Sequence, residues 1–185
     1  MYDRIISAAE ELLTHKNRII VAIDGRCASG KSTLSAVIAE KTGCNVIHMD
    51  DFFLRPEQRT KERLSETGGN TDYERFEAEV LLPFSKGCEV TYRPYNCGKR
   101  AFDEAVNLPH SRMTLVEGSY SCHPRFYDYY DLHIFLSVAP DEQLRRLERR
   151  NPVLLSRFIN EWIPMEEKYF EAFGIAERCG LKFNT

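Results

Sequence analysis

Residues 25–32 read Gly-Arg-Cys-Ala-Ser-Gly-Lys-Ser and fit the spacing G-x-x-x-x-G-K-[ST]. No other feature of the chain constrains its fold as tightly. Glycines at both ends let the backbone curl until successive N–H groups point inward at an anion. A helix starting straight after the pattern adds the positive end of its dipole. The lysine of such a loop reaches the β- and γ-phosphates of a nucleotide, and the hydroxyl after it is a ligand for Mg²⁺. The flanks supply the context this needs. Arg18 to Ile23 is a short run rich in β-branched residues, suited to a strand buried on both faces. Residues 31–41 read as a helix stopped by Gly43. ATP is therefore expected on Gly25, Arg26, Cys27, Ala28, Ser29, Gly30, Lys31, Ser32 and Thr33, with Lys31 taking part in catalysis and Ser32 holding Mg²⁺.

The rest of the chain repeats the alternation. Residues 2–15 predict an amphipathic helix. Buried strands are expected at 45–49, 113–116 and 132–138, and a short one at 181–183. Helices are expected at 74–86 despite Pro83, from Pro140 to about Arg150, and from about Pro152 to Phe173. Residues 54–73 are polar, contain Gly68-Gly69 and predict a mobile loop. Residues 89–96 alternate like a hairpin arm. Strands alternating with helices give βαβ units and a three-layer α/β fold around a parallel sheet. A chain of 185 residues fits one domain. Within residues 1–185, about 54–110 is expected to be an acceptor-binding insertion and about 141–157 a helical lid.

Composition narrows the partners. With 25 Lys and Arg against 28 Asp and Glu, the net charge of −3 does not suit a general nucleic-acid binder. No apolar run approaches the ~20 residues of a membrane span. Met1-Tyr2-Asp3-Arg4 lacks the layout of a secretory signal, so a cytoplasmic location is expected. The six cysteines include no C-x-x-C pair and predict reduced thiols. A zinc site from Cys88, Cys97, Cys122 and His123 matches no known spacing. Cys27, beside phosphate-attracting charge, is either packing or a reactive thiol.

Several residues then fall into roles. In open α/β sheets the ligand crevice lies outside the carboxyl ends of the strands. Gly25, Asp50 and Glu117 all stand at such ends and should converge. An acid leaving a buried strand beside the phosphate loop serves Mg²⁺, which selects Glu117. That leaves a further carboxylate, of Asp50 or Asp51 at the end of the second strand, free to take a proton from a hydroxyl acceptor. Residues 144–150 carry four arginines in i, i+4 pairs. Asp141 and Glu142 can pair with Arg145 and Arg146 on a solvated face. Phosphoryl transfer also needs cations on the transferring group, and Arg146 and Arg150 are the candidates from a lid. Phe53 and Tyr95, near strand ends, are candidates for an acceptor pocket.

Taken together, Ile-Asp-Gly-Arg-Cys-Ala-Ser-Gly-Lys-Ser-Thr, His-Met-Asp-Asp-Phe-Phe-Leu, Tyr-Arg-Pro-Tyr-Asn, Val-Glu-Gly-Ser-Tyr and Arg-Arg-Leu-Glu-Arg-Arg resemble the uridine kinase-like P-loop kinases. Nicotinamide riboside kinases, phosphoribulokinases and bacterial pantothenate kinases belong to the same group. The resemblance covers roughly residues 18–173. It implies Asp50 as the base, Phe53, Asp72 and Tyr95 at a nucleoside-like acceptor, Glu117 as the Mg²⁺ acid, and Arg146 and Arg150 as lid arginines. Asn-Cys-Gly-Lys-Arg follows Tyr95, without the histidine with which uridine–cytidine kinases read a pyrimidine. The expected activity is transfer of the ATP γ-phosphoryl group to a hydroxyl of a small molecule. A pantothenate- or sugar-phosphate-type acceptor is the alternative. A nucleoside-monophosphate kinase would use Arg55, Arg59 and Arg63 around its anionic acceptor. A guanine-nucleotide switch would need N-K-x-D, which is absent.

Overall fold

The computed structural model describes residues 1–185. Helix α1 (Tyr2–Leu13) leads into strand β1 (Ile19–Gly25), helix α2 (Lys31–Thr42) and strand β2 (Asn45–His48). A short helix α3 (Lys61–Ser65) precedes a continuous helical run. That run consists of α4 (Tyr73–Phe76), a π-turn (Glu77–Leu81) and α5 (Leu82–Ser85). Four short strands follow: β3 (Val90–Tyr92), β4 (Tyr95–Asn96), β5 (Ala101–Phe102) and β6 (Val106–Leu108). Then come β7 (Met113–Glu117), β8 (Leu132–Ser137) and helix α6 (Pro140–Arg150). A second helical run holds α7 (Leu155–Arg157), a π-turn (Phe158–Trp162) and α8 (Ile163–Phe173), before α9 (Ile175–Arg178) and β9 (Leu181–Asn184).

Five strands form one sheet in the order β2-β7-β1-β8-β9. Every pairing in it is parallel. All residues of β1 and β7 are buried, as central strands covered on both faces must be. Alternation along β1 sorts the two cores. Ile19, Val21 and Ile23 face α1 and α2 with Ile5, Ala9, Leu34 and Ile38. Ile20 and Ala22 face the opposite side, with Phe52, Phe76, Val80, Phe126, Tyr169 and Phe170. Helices on both faces of a parallel sheet make this the three-layer α/β P-loop fold.

Two prolines inside helices follow one rule. Pro83 stands two residues after the π-turn Glu77–Leu81, and Pro164 two residues after the π-turn Phe158–Trp162. A proline has no N–H to give and its ring crowds the carbonyl four residues back. A wider turn just before it relieves both, so the helices run through.

The mobile loop expected at residues 54–73 is instead a folded segment. Thr60 caps α3 by accepting a hydrogen bond from the Arg63 N–H at 3.1 Å. The Arg63 guanidinium then donates to the carbonyls of Gly69 and Thr71 and to both oxygens of Glu74, each at 2.8 Å. It also lies 3.6 Å from the ring centroid of Tyr73. One side chain satisfies the carbonyls that a glycine-containing loop would otherwise leave to water. No helix of the chain is long and apolar enough to cross a membrane.

Candidate active site

The carboxyl ends of β1, β2 and β7 lie side by side, because β7 sits between the other two. The phosphate loop leaves β1 there. Gly25 has φ +139°, and a Cβ on it would lie 2.0 Å from the Leu136 carbonyl oxygen, so only glycine fits against β8. The amides of Ala28, Gly30, Lys31, Ser32 and Thr33 make no hydrogen bond within the protein. Five orphan donors at one helix N-terminus form an open nest for an anion. The Lys31 side chain is buried and donates to the carbonyls of Gly25 at 2.6 Å and Arg26 at 3.0 Å. Ser29 is buried with an unpartnered hydroxyl, while Ser32 and Thr33 are exposed in the first turn of α2.

The acids gather opposite. Glu117 ends β7 and is in register with His48 of β2. Its buried Oε1 meets His48 Nδ1 at 2.5 Å. That contact, more than the nearby acids, raises the pKa of His48. Asp50 follows in the turn Met49–Phe52. Solvent reaches it, but its carboxylate is surrounded by enough protein to raise its pKa. The charge of Glu117 adds to the rise, and Lys31 and His48 oppose it. Asp51 accepts from Tyr92 Oη at 3.2 Å. Lys31 and Glu117 lie near enough to Asp50 for their charges to act on it.

No group of three or more His, Cys, Asp and Glu side chains is arranged to hold a metal by itself. Mg²⁺ in nucleotide sites takes only one or two protein oxygens and fills its shell with water and phosphate. The exposed Ser32 hydroxyl and the second oxygen of Glu117 suit that limited role.

The expected acceptor residues separate. Tyr95 is buried in β4, edge-on to Phe102 at 5.5 Å, and β4 packs on the Met49–Phe52 turn. Phe53 bridges to Thr71 through the backbone. Asp72 is buried and caps α4, accepting from the Arg75 N–H at 3.1 Å and from Gln58 Nε2 at 2.8 Å. In this arrangement its carboxylate is engaged with the insertion itself.

The arginines separate too. Arg146 donates to the Ala28 carbonyl at 3.1 Å and to Glu142 at 2.7 Å, which binds it to the crest of the phosphate loop. Arg150 is exposed, 5.4 Å from the Phe158 ring, and touches neither the loop nor the acids. Glu142 takes Arg145 as well, and the two arginines hold its pKa down at about 2. Cys27 is placed as a packing residue of the phosphate loop. It is buried under Gln143 and beside Glu166, and burial pushes its pKa up to about 12. Cys122 is buried while Cys88 and Cys97 are exposed, so these cysteines share no site.

Four further residues escape a reading by motif. Asp24, fully buried, accepts from the amides of Gly25, Tyr120 and Cys122 and from Tyr169 Oη. Burial raises its pKa to about 6 against the bonds from Cys122, Gly25 and Tyr169 and the pull of Lys31. Tyr120 is a bulky residue held at φ +73°, and its bond to Asp24 offsets that strain. Glu166 and Glu167 of α8 reach the phosphate loop at Cys27 and Arg26. The i, i+3 pair Glu166 and Tyr169 on one helix face was the available signal.

No protein-family model matches the chain. Over 176 residues it is 28% identical to "Putative uridine kinase C227.14" of Schizosaccharomyces pombe, covering 82% of this chain and 74% of that protein. The structure of "a possible uridine kinase" from Bacillus stearothermophilus superposes with a TM-score of 0.72 at 20% identity, over 98% of this chain and 97% of the other. YFH7 from Saccharomyces cerevisiae, described as "a putative P-loop containing kinase with a circular permutation", gives 0.66 at 12% identity, over 100% and 99%. These last two establish the fold. The chain is thus similar in sequence to a protein named as a kinase of uridine and shares its fold with proteins described as P-loop kinases.

Proposed function

We propose that the chain transfers the γ-phosphoryl group of Mg-ATP to a hydroxyl of a small molecule, with a nucleoside as the acceptor class. The observation that carries this reading is the meeting of Asp50, Glu117 and the open phosphate loop at three adjacent strand ends. The five free amides and Lys31 would hold the polyphosphate. Ser32 and Glu117 would hold Mg²⁺, which neutralises charge on the β- and γ-oxygens when bound. Asp50 would accept the proton of the attacking hydroxyl, and its raised pKa brings it closer to working pH as a base. Residues 54–110 would form the acceptor side, with Phe53, Tyr95 and Asp72 along it. Residues 141–157 would act as the lid, where Arg146 steadies the loop and Arg150 would need the segment to move.

The monophosphate-acceptor reading has less support. Arg63 is spent on Glu74 and the loop carbonyls, and Arg55 pairs with Glu57. A coupled assay of ADP release with Mg-ATP against uridine, cytidine, nicotinamide riboside, pantothenate and nucleoside monophosphates tests the proposal. Turnover should require a hydroxyl acceptor and be highest with a nucleoside. ATP consumption indifferent to every acceptor would overturn it.

A further inference from the structure

Three neighbouring residues of β1 and the phosphate loop are fastened to one stretch of α8. Tyr169 donates to Asp24 at 2.8 Å, Arg26 donates to Glu167 at 2.6 and 2.9 Å, and the Cys27 amide donates to Glu166 Oε2 at 2.9 Å. The last of these is the unusual one. Glu166 is 5% exposed, and its other oxygen takes the Ser119 hydroxyl at 2.5 Å. No lysine, arginine or histidine lies within ion-pair distance of it; Arg26 pairs directly with Glu167 and acts on Glu166 only through its charge at longer range. A buried carboxylate without a cation is costly. This one sits on the Cys27 amide, directly before the free amides of the loop that form an anion nest. A phosphate entering the nest would face the Glu166 charge across a poorly screened gap.

The same helix carries the segment that covers the loop. Phe158, Trp162 and Ile163 pack with Leu147, Cys27 and Ala28. A displacement of α8 that takes Glu166 away from Cys27 would therefore move the cover as well.

We propose that Glu166 is a resident stand-in for phosphate: it holds the Cys27 amide in the empty loop and yields it when the terminal phosphates of a nucleotide arrive, which links nucleotide entry to movement of the Leu155–Phe173 segment. The proposal rests on nucleotide binding by the loop and is independent of the acceptor. Phosphate number becomes a signal, because only the outer phosphates compete with the carboxylate.

Calorimetric titration of the whole chain and its Glu166→Gln variant with Mg-ATP, Mg-ADP and AMP tests this. Glutamine keeps an acceptor for Cys27 and removes the charge. Its affinity for Mg-ATP should rise roughly tenfold, less for Mg-ADP and not for AMP, as expected for removing one poorly screened like charge. A variant that binds Mg-ATP no more tightly than wild type, or gains equally for AMP, would overturn the proposal. The unaltered protein gives a second test. Inorganic tripolyphosphate at saturation should shift the Cys27 amide resonance together with the emission of Trp162, the chain's one tryptophan. A bound tripolyphosphate that leaves the Cys27 amide unmoved would also overturn it. If wild type bound neither ATP nor tripolyphosphate, the nucleotide-binding reading itself would fail instead.

Discussion

Tyr169 of α8 donates its hydroxyl hydrogen to Asp24 Oδ2 at 2.8 Å, inside the core and one residue before the phosphate loop. Asp24 is ionised in the unfolded chain above its ordinary pKa of 3.8, but in the fold burial raises that value to about 6. Between these two values the folded state binds more protons than the unfolded one. Stability is therefore fullest at low pH for this group and falls as pH rises from about 4 to about 6, by up to about 3 kcal/mol. Urea unfolding of wild type and Asp24→Asn across that range should show the variant with a flatter profile. Parallel profiles would rule out an ionising Asp24.

Asp50→Asn should leave nucleotide binding intact and lower turnover by ~10²–10⁴, the usual scale for a positioned base. The loss should appear in kcat, because the amide keeps the shape of the acceptor site. Near wild-type turnover in a folded variant would remove Asp50 from the proposed role.

Two glycines of the loop should respond differently to alanine. At Gly25 the new methyl would meet the Leu136 carbonyl at 2.0 Å, while at Gly30 nothing lies within 4 Å. Gly25→Ala should cost more than about 4 kcal/mol or prevent folding. Gly30→Ala should cost only backbone strain at φ +90°, about 1–2 kcal/mol. Denaturant midpoints of the two variants, measured side by side, give the comparison.

Arg63→Ala should release the 54–72 segment without unfolding the sheet. Its bonds to Gly69, Thr71 and Glu74 all lie within that segment or at its border. Thermolysin should cut between residues 60 and 72 much faster in the variant, with a melting temperature lower by only a few degrees. Unchanged cutting would show that the segment is held by other contacts.

The thiols should divide by burial. Cys88 and Cys97 are exposed and the other four buried. N-ethylmaleimide at pH 7.5 should label those two first, with Cys27 among the last, as mass mapping of the native protein would report. Early labelling at Cys27 would contradict its high pKa and its packing against Gln143.

The sequence by itself determined the frame. A β-branched run, a glycine-rich turn and a helix around Lys31 can be satisfied together in few ways, and the alternation of strands and helices repeats locally along the chain. The acids at strand ends were legible for the same reason, since a parallel sheet puts all its carboxyl ends at one edge. Only the tertiary structure decided which polar groups are already engaged. The family resemblance implies Asp72 as an acceptor residue, but its carboxylate is engaged by Gln58 and a helix cap. Residues 54–73 read as mobile from composition, and the fold ties them together through Arg63, the Gln58–Asp72 bond and the Phe53–Thr71 bridge. Asp24 and Glu166 stand 142 positions apart, so no local pattern joins them at the phosphate loop. Hydrogen bonding and desolvation depend on neighbours brought together by folding, and these set what each buried carboxylate can do.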